Sequence, residues 1–235
     1  MNGIHDLGGR DGFGPVDASA EEPVFRDEWE KHVFAMFPAC FRAGYFGLDE
    51  FRHGFEQMDP AIYLRSPYYE HWLFSMELYA TRKGFIDAEE LERRTQYFLE
   101  NPDAPLTEHE QNSDLEAFAE GVAIAGAPPQ RPTDKEPRFQ VGDIVRVKDY
   151  SPFGHTRLAQ YIRGKVATVI AHHGSFIYPD SAGNGLGEAP EHVYTIQFDG
   201  AELWGADFAN ANTTSTIDVF DPYIELVNEQ ERVSA

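Results

Sequence analysis

The sequence has one cysteine in 235 residues, Cys40. A single thiol cannot close an internal disulfide, and it cannot supply a multi-thiolate metal site. Chemistry that needs several cysteines must come from another chain. Positive charge is also scarce: 19 Lys and Arg stand against 40 Asp and Glu, for a formal net charge of −21. A polyanion repels phosphate, which argues against nucleic acid and anionic membranes as partners. No apolar run approaches the roughly 18 residues of a membrane span. The first residues lack the basic and apolar regions of a secretory signal. A cytoplasmic protein is expected. H-E-x-x-H, C-x-x-C and G-x-S-x-G are all missing. The nine histidines are scattered, and a strand would point the adjacent His172 and His173 to opposite faces. No metal site is expected in this chain.

The chain is 42% hydrophobic and 14% aromatic, enough for real cores, and its length suits roughly one to two domains. It opens MNGIHDLGGRDGFGPV, with five glycines and one proline in sixteen residues. Such a stretch cannot hold a helix. Its apolar residues Ile4, Leu7, Phe13 and Val16 suit an extended arm, over 1–21, that lies on another surface.

Residues 22–125 read as a helical domain. Phe25, Trp29, Val33, Phe37 and Cys40 recur at helical spacing, with Pro38 expected to kink or break that run. A short helix fits Asp49 to Met58. Asp87-x-x-Glu90 is a capping box, with Ile86 and Leu91 as its staple, and that helix stops at Asn101-Pro102. Residues 126–138, GAPPQRPTDKEPR, hold four prolines and read as a linker. From 139 to 235 the period shortens. FQVGDIVRVKD, GKVATVIAHH, FIYPD, HVYTIQFDG and STIDVFDPYIELV suggest about five strands, as in a small SH3-like β-barrel. The fold class expected is α+β.

Three features stand out from this background. Arg52 sits beside the apolar face made by Phe51 and Phe55; the plain expectation is an i,i+4 ion pair with Glu56. Arg157 lies where a turn meets a strand, and composition alone makes it a solvated loop charge. Arginine is nonetheless the residue suited to forking onto an oxygen anion. Tyr68 and Trp72 share a helix face, as a core stripe or as the wall of an apolar pocket. The Gly-rich SAGNGLGE, 181–188, lacks the Lys and following helix of a phosphate site and reads as a turn.

MNGIHDLGG, FRAGYFGLDEFRHGFEQM, SPYYEHW, ELERRTQYFLENPDAPL, GHTRLAQYIRGK, YPDSAGNGLGE and ELWG together resemble the beta subunit of bacterial nitrile hydratase, from residue 1 to about 228. That family converts a nitrile and water to an amide. The resemblance implies that Co(III) or Fe(III) is bound by a partner alpha subunit. The metal sits in a C-x-x-C-S-C claw with two cysteines oxidised to sulfinic and sulfenic acids. This chain would hold no cofactor itself. It implies an αβ heterodimer, doubling to α2β2, with the arm lying across the alpha subunit. By match to the family's motifs, Arg52 and Arg157 hydrogen-bond the oxidised cysteine oxygens. Tyr68 offers a hydroxyl near the reacting water. Leu48, Phe51 and Trp72 form the substrate pocket, extended by Phe37 and Phe41. Glu56, His71 and His155 join a hydrogen-bond network near the arginines. The YYEHW context leans towards cobalt. The family implies a Lewis-acidic metal acting on nitrile or water, or a sulfenate oxygen as nucleophile. Two other readings compete. Thiocyanate hydrolase carries these two halves on separate chains, and a helical module with an SH3-like barrel could be a non-catalytic binding or metallochaperone module.

Overall fold

A computed structural model of the chain describes residues 2–16, 23–207 and 212–227. Expectations for 17–22, for 208–211 and for the last eight residues fall outside it. The chain divides into two compact units, one over Ala18–Pro128 and one joining Met1–Asp17 to Pro129–Ala235. No helix among the described residues is long and apolar enough to cross a membrane.

The first unit is helical: α1 Glu28–Arg42, α2 Leu48–Glu56, α3 Pro60–Arg65, α4 Tyr68–Arg82, α5 Ala88–Glu100 and α6 Ser113–Ala125. Contrary to expectation, α1 runs through Pro38 to Arg42. Proline removes one rung of the ladder, and Val33, Phe37 and Phe41 on either side stay packed in the aromatic core. The start of α5 is as read: the Asp87 side chain accepts from Glu90 N at 2.9 Å. Asp59 caps α3 in the same way, accepting from Ala61 N and Ile62 N. Pro67 stands just before α4, where its lost N–H costs nothing. Helices α2 and α4 cross at Gly54 and Ser75. The Ser75 hydroxyl donates to Phe51 O at 2.7 Å, and a Cβ on Gly54 would come 2.0 Å from that hydroxyl.

The second unit is built on an antiparallel sheet. Its strands are β1 Ile144–Val147, β2 Val166–Phe176, β3 Glu191–Asp199, β4 Thr214–Phe220 and β5 Ile224–Leu226, in the order β4-β3-β2-β1-β5. Short helices α7 Pro179–Ala182 and α8 Gly200–Trp204 flank β3. The strand count matches the reading but two assignments differ. FIYPD is no strand: Phe176 ends β2 and Pro179 opens α7, because proline's fixed φ suits a first helical turn. STIDVFDPYIELV is two strands, parted by a 3-10 turn at Asp221–Tyr223 that contains Pro222. No pairing joins β4 to β5 among the described residues, so the sheet is not closed.

At residues 2–9 the N-terminal arm lies on this chain's own sheet unit. Asp6 is 3% exposed, and its carboxylate accepts from Gln160 N at 2.9 Å, capping the 3-10 turn Gln160–Ile162. Asn2 donates to Pro152 O and accepts from Arg163. Trp204 Nε1 donates to Gly9 O at 3.1 Å. Gly9 has φ +71°, and a Cβ there would lie 2.4 Å from the Tyr161 ring, so glycine allows the close approach. Phe13 and Val16 remain exposed. Asp6→Ala removes the cap and is expected to cost about 1 kcal/mol. A lower thermal midpoint, with faster proteolysis of the first sixteen residues, is the expected result. An unchanged midpoint contradicts it.

Residues 129–138, read as linker, are laid against the sheet unit. Pro129 O accepts from Ile177 N, and Arg131 forks onto Glu188 at 2.8 and 2.9 Å. Arg138 holds Asp221. His192 Nε2 faces Lys135 O at 2.8 Å, so it must donate. Neutral His192 then accepts at Nδ1 from His172 Nε2, 3.0 Å away. His172 titrates below its usual 6.5 through desolvation, then through His192 and His173, with Asp221 opposing. A depressed histidine contributes stability that is complete above the unfolded value and lost as pH falls below about 6.5. The stability advantage of wild type over His172→Gln is therefore expected to shrink from pH 7.5 to 5.5. Melting curves that stay parallel across that range would count against the pair.

Candidate functional site

The helical unit gathers most of the expected site residues. Phe51, at the α2–α4 crossing, is 3% exposed. Its ring lies 4.7 Å from Phe37 and 5.2 Å edge-on to Trp72. Phe37 in turn reaches Phe41 at 6.3 Å and Trp72 at 5.1 Å. Tyr68 meets Trp72 at 5.8 Å but is itself 62% exposed. The stripe is thus core at Phe51 and surface at Tyr68, with half-buried Phe37, Phe41 and Trp72 between. Trp72 Nε1 is buried without a hydrogen-bond partner among the described residues. Leu48 opens α2 and is exposed.

Arg52 does not follow the expected i,i+4 pairing. It donates to Asp49 Oδ1 at 3.0 Å, one turn back, and the Asp49 side chain is 9% exposed against 44% for Arg52. The Glu56 side chain is equally withdrawn from water, 9% exposed, but it is turned to His53. Glu56 faces His53 Nδ1 at 3.0 Å. His71 donates from Nε2 to Tyr63 O at 3.0 Å and stacks on the Tyr63 ring at 4.5 Å. Cys40 is half-buried in α1, and burial raises its pKa. It stays a thiol, a poor metal ligand.

Arg157 and His155 belong to the sheet unit. His155, Thr156, Leu158 and Ala159 are buried, and Arg157 between them is exposed. Its guanidinium has no ion-pair partner among the described residues. Its backbone is another matter: Arg157 N donates to Tyr223 Oη at 3.1 Å. Tyr223 is buried and donates its own proton to Asp180. Burial raises the pKa of Asp180 and pushes the Tyr223 hydroxyl far up, with Asp180 adding to the latter. Asn184 brackets His155, accepting from its N at 3.0 Å and donating to its O at 3.1 Å.

Sequence reasoning missed Asp49, Asp180, Asn184 and Tyr223. The last three come from 178–188 and from the end of the chain, and only the fold brings them under Arg157. The one signal was YPDSAGNGLGE, too dense in small turn residues for a loop without a task.

Two family models match the chain: the nitrile hydratase beta subunit N-terminal model over residues 1–116 and the C-terminal model over 128–226. A nitrile hydratase subunit beta from Rhodococcus sp is 62% identical over 235 residues, covering the whole of both chains. A cobalt-containing nitrile hydratase subunit beta from Pseudonocardia thermophila is 57% identical over 228 residues, 97% of each. A low-molecular weight cobalt-containing nitrile hydratase subunit beta from Rhodococcus rhodochrous is 48% identical over 225 residues, 95% of this chain and 99% of its own. Among solved structures, a thiocyanate hydrolase chain from Thiobacillus thioparus matches at a TM-score of 0.39 and 25% identity, over 52% of this chain.

Proposed function

The chain belongs to the nitrile hydratase beta-subunit family, and from that premise we propose that it completes the hydration site by bringing cationic donors and an apolar wall to a metal centre held by the alpha subunit. As a nitrile hydratase beta subunit it works in a complex that converts nitriles to amides. Family matches to both halves set aside the thiocyanate hydrolase and binding-module readings.

The observation that carries the proposal is the contrast between exposed arginines and buried supports. Arg52 projects from α2 with its guanidinium on buried Asp49, and Arg157 from a turn whose neighbours are buried. The donor set fits anions, not a metal ion. Guanidinium is a cation with five N–H donors and no lone pair to give. It suits the sulfinate and sulfenate oxygens of oxidised cysteine ligands, which would otherwise be buried without charge-assisted donors. The one cysteine of this chain is held protonated by burial. Its homologues named as cobalt-containing favour cobalt over iron. When bound, that ion supplies Lewis acidity towards nitrile or water.

Each group on this chain has a distinct task. Arg52 and Arg157 hold the oxidised ligands. Tyr68, with its ring on Trp72 and its body exposed, offers a hydroxyl to the attacking water. Leu48, Phe51 and Trp72, with Phe37 and Phe41 behind, exclude bulk water and seat the nitrile's apolar portion. Glu56, His71 and His155 back the arginines. The assembly is an αβ heterodimer that doubles to α2β2, in the cytoplasm. The sheet unit supports an SH3-like barrel reading. Four residue steps from Phe220 to Ile224 span at most about 14 Å, whereas the outer strands of a flat five-stranded sheet lie about 19 Å apart. The sheet must therefore roll.

The test is hydration of a small nitrile by this chain alone and by the chain co-expressed with the alpha subunit in cobalt-supplemented medium. Amide from the co-purified pair alone, with metal retained only when the alpha subunit is present, is the expected result. A metal-loaded pair that leaves nitriles untouched overturns the proposal.

A further inference from the structure

The turn that carries Arg157 is held by more polar contacts than a loop needs. Residues 154–158 lie against 180–184 with no spare space. Gly154 has φ +80°, and a Cβ there would lie 2.0 Å from Asn184 Oδ1; a Cβ on Gly183 would lie 2.4 Å from the His155 ring. Asn184 bridges the two segments from both ends of its amide, accepting from His155 N and donating to His155 O and Asp180 O.

Beneath them stands Tyr223. Its ring belongs to the core of the sheet unit, and a phenylalanine would fill that role. Its hydroxyl is spent wholly on the turn and its support. It accepts from Arg157 N at 3.1 Å, stands 3.3 Å from Thr156 Oγ1, and donates to Asp180. Thr156 Oγ1 in turn accepts from Leu158 N at 3.1 Å. The residues on both sides of Arg157 are thereby fixed in position, and its own amide is fixed directly. The exposed guanidinium starts from a backbone with little freedom left.

We propose that Tyr223, Asp180 and Asn184 are positioning residues for Arg157, a buried polar clamp that sets where its guanidinium meets the oxygen anions of the partner's metal ligands. The inference rests on the reading of Arg157 given above. Hydrogen bonds from a fork are directional, and displacement of a positioned group by about 1 Å can cost a large factor in rate. A chain segment with one loose N–H would sample such displacements.

The test compares Tyr223→Phe, Asp180→Asn, Asp180→Ala and Arg157→Lys in the purified complex with the alpha subunit. Three quantities are read: kcat and KM for propionitrile, cobalt content, and amide hydrogen exchange of the peptide containing Arg157. Tyr223→Phe keeps the ring and removes the hydroxyl. It is expected to speed exchange at that peptide about tenfold and to lower kcat about tenfold, with KM within about twofold and cobalt unchanged. Asp180→Asn keeps an acceptor for the Tyr223 proton and retains most activity, whereas Asp180→Ala behaves like Tyr223→Phe. If Tyr223→Phe speeds exchange but keeps kcat while Arg157→Lys loses it, the clamp is only structural and the inference fails alone. If Arg157→Lys keeps full kcat, the reading beneath it fails as well.

Discussion

Arg157→Ala, co-expressed with the alpha subunit, is expected to lose about 10²- to 10³-fold in kcat, the usual cost of removing one preorganised donor from developing or buried negative charge. Its thermal midpoint should barely move, because the side chain is exposed and its backbone contacts to Tyr223 survive. Arg52→Ala is expected to differ. It removes the guanidinium from a carboxylate that is 9% exposed, so it should lose activity and stability together. Lysine at either position keeps the charge without the planar fork and should recover only part of the loss. The check is kcat, KM and melting of the four variants side by side. Arg157→Ala enzyme with wild-type kcat would remove the arginine from the account.

Gly54→Ala is expected to be the most damaging single methyl group in the helical unit. The added Cβ would lie 2.0 Å from Ser75 Oγ, 2.7 Å from Ser75 Cβ and 3.1 Å from Ser75 Cα. Rotating the hydroxyl away does not clear the other two contacts, and one of them is backbone. Helices α2 and α4 must move apart, and the buried Ser75–Phe51 hydrogen bond goes with them. Overpacking of this kind costs about 1–3 kcal/mol, and a lost buried hydrogen bond adds about 1 kcal/mol. Alanine's better helix propensity returns up to about 1 kcal/mol. A net loss of about 2 kcal/mol corresponds to a midpoint about 4–8 °C lower for a chain of this size. Phe51 and Trp72 ride on the two helices, so KM for a small nitrile should rise as well. A Gly54→Ala variant that melts with the wild type would mean the helices do not pack this closely in the complex.

Local signals were legible in the sequence and long-range ones were not. The period of Trp29, Val33 and Phe37 places α1, although Phe25 at the head of that run lies before the helix, and Asp87 with Glu90 places the start of α5, because both are written within one or two helical turns. Pro38 was misjudged because packing on both sides outweighs one missing rung. Asp6 and Gln160 are 154 positions apart, and no periodicity relates them; their contact appears only once the sheet exists. Spacing alone pairs Arg52 with Glu56, but in the fold Glu56 faces His53 and Arg52 turns to Asp49. The family membership is legible as motifs, segment by segment, and the candidate site follows from that resemblance. What the motifs could not convey is why YPDSAGNG accompanies GHTR: the two interlock through Gly154, Gly183 and Asn184.

The central claim is that this chain serves the metal's ligands and not the metal. A crystal structure of the cobalt-loaded complex with the alpha subunit tests it most directly. The account predicts N–H donors of Arg52 and Arg157 within about 3.2 Å of oxygens on the oxidised cysteine ligands, with no ligand to the ion from this chain. Either guanidinium turned to solvent, or a side chain of this subunit bound to the cobalt, would contradict it.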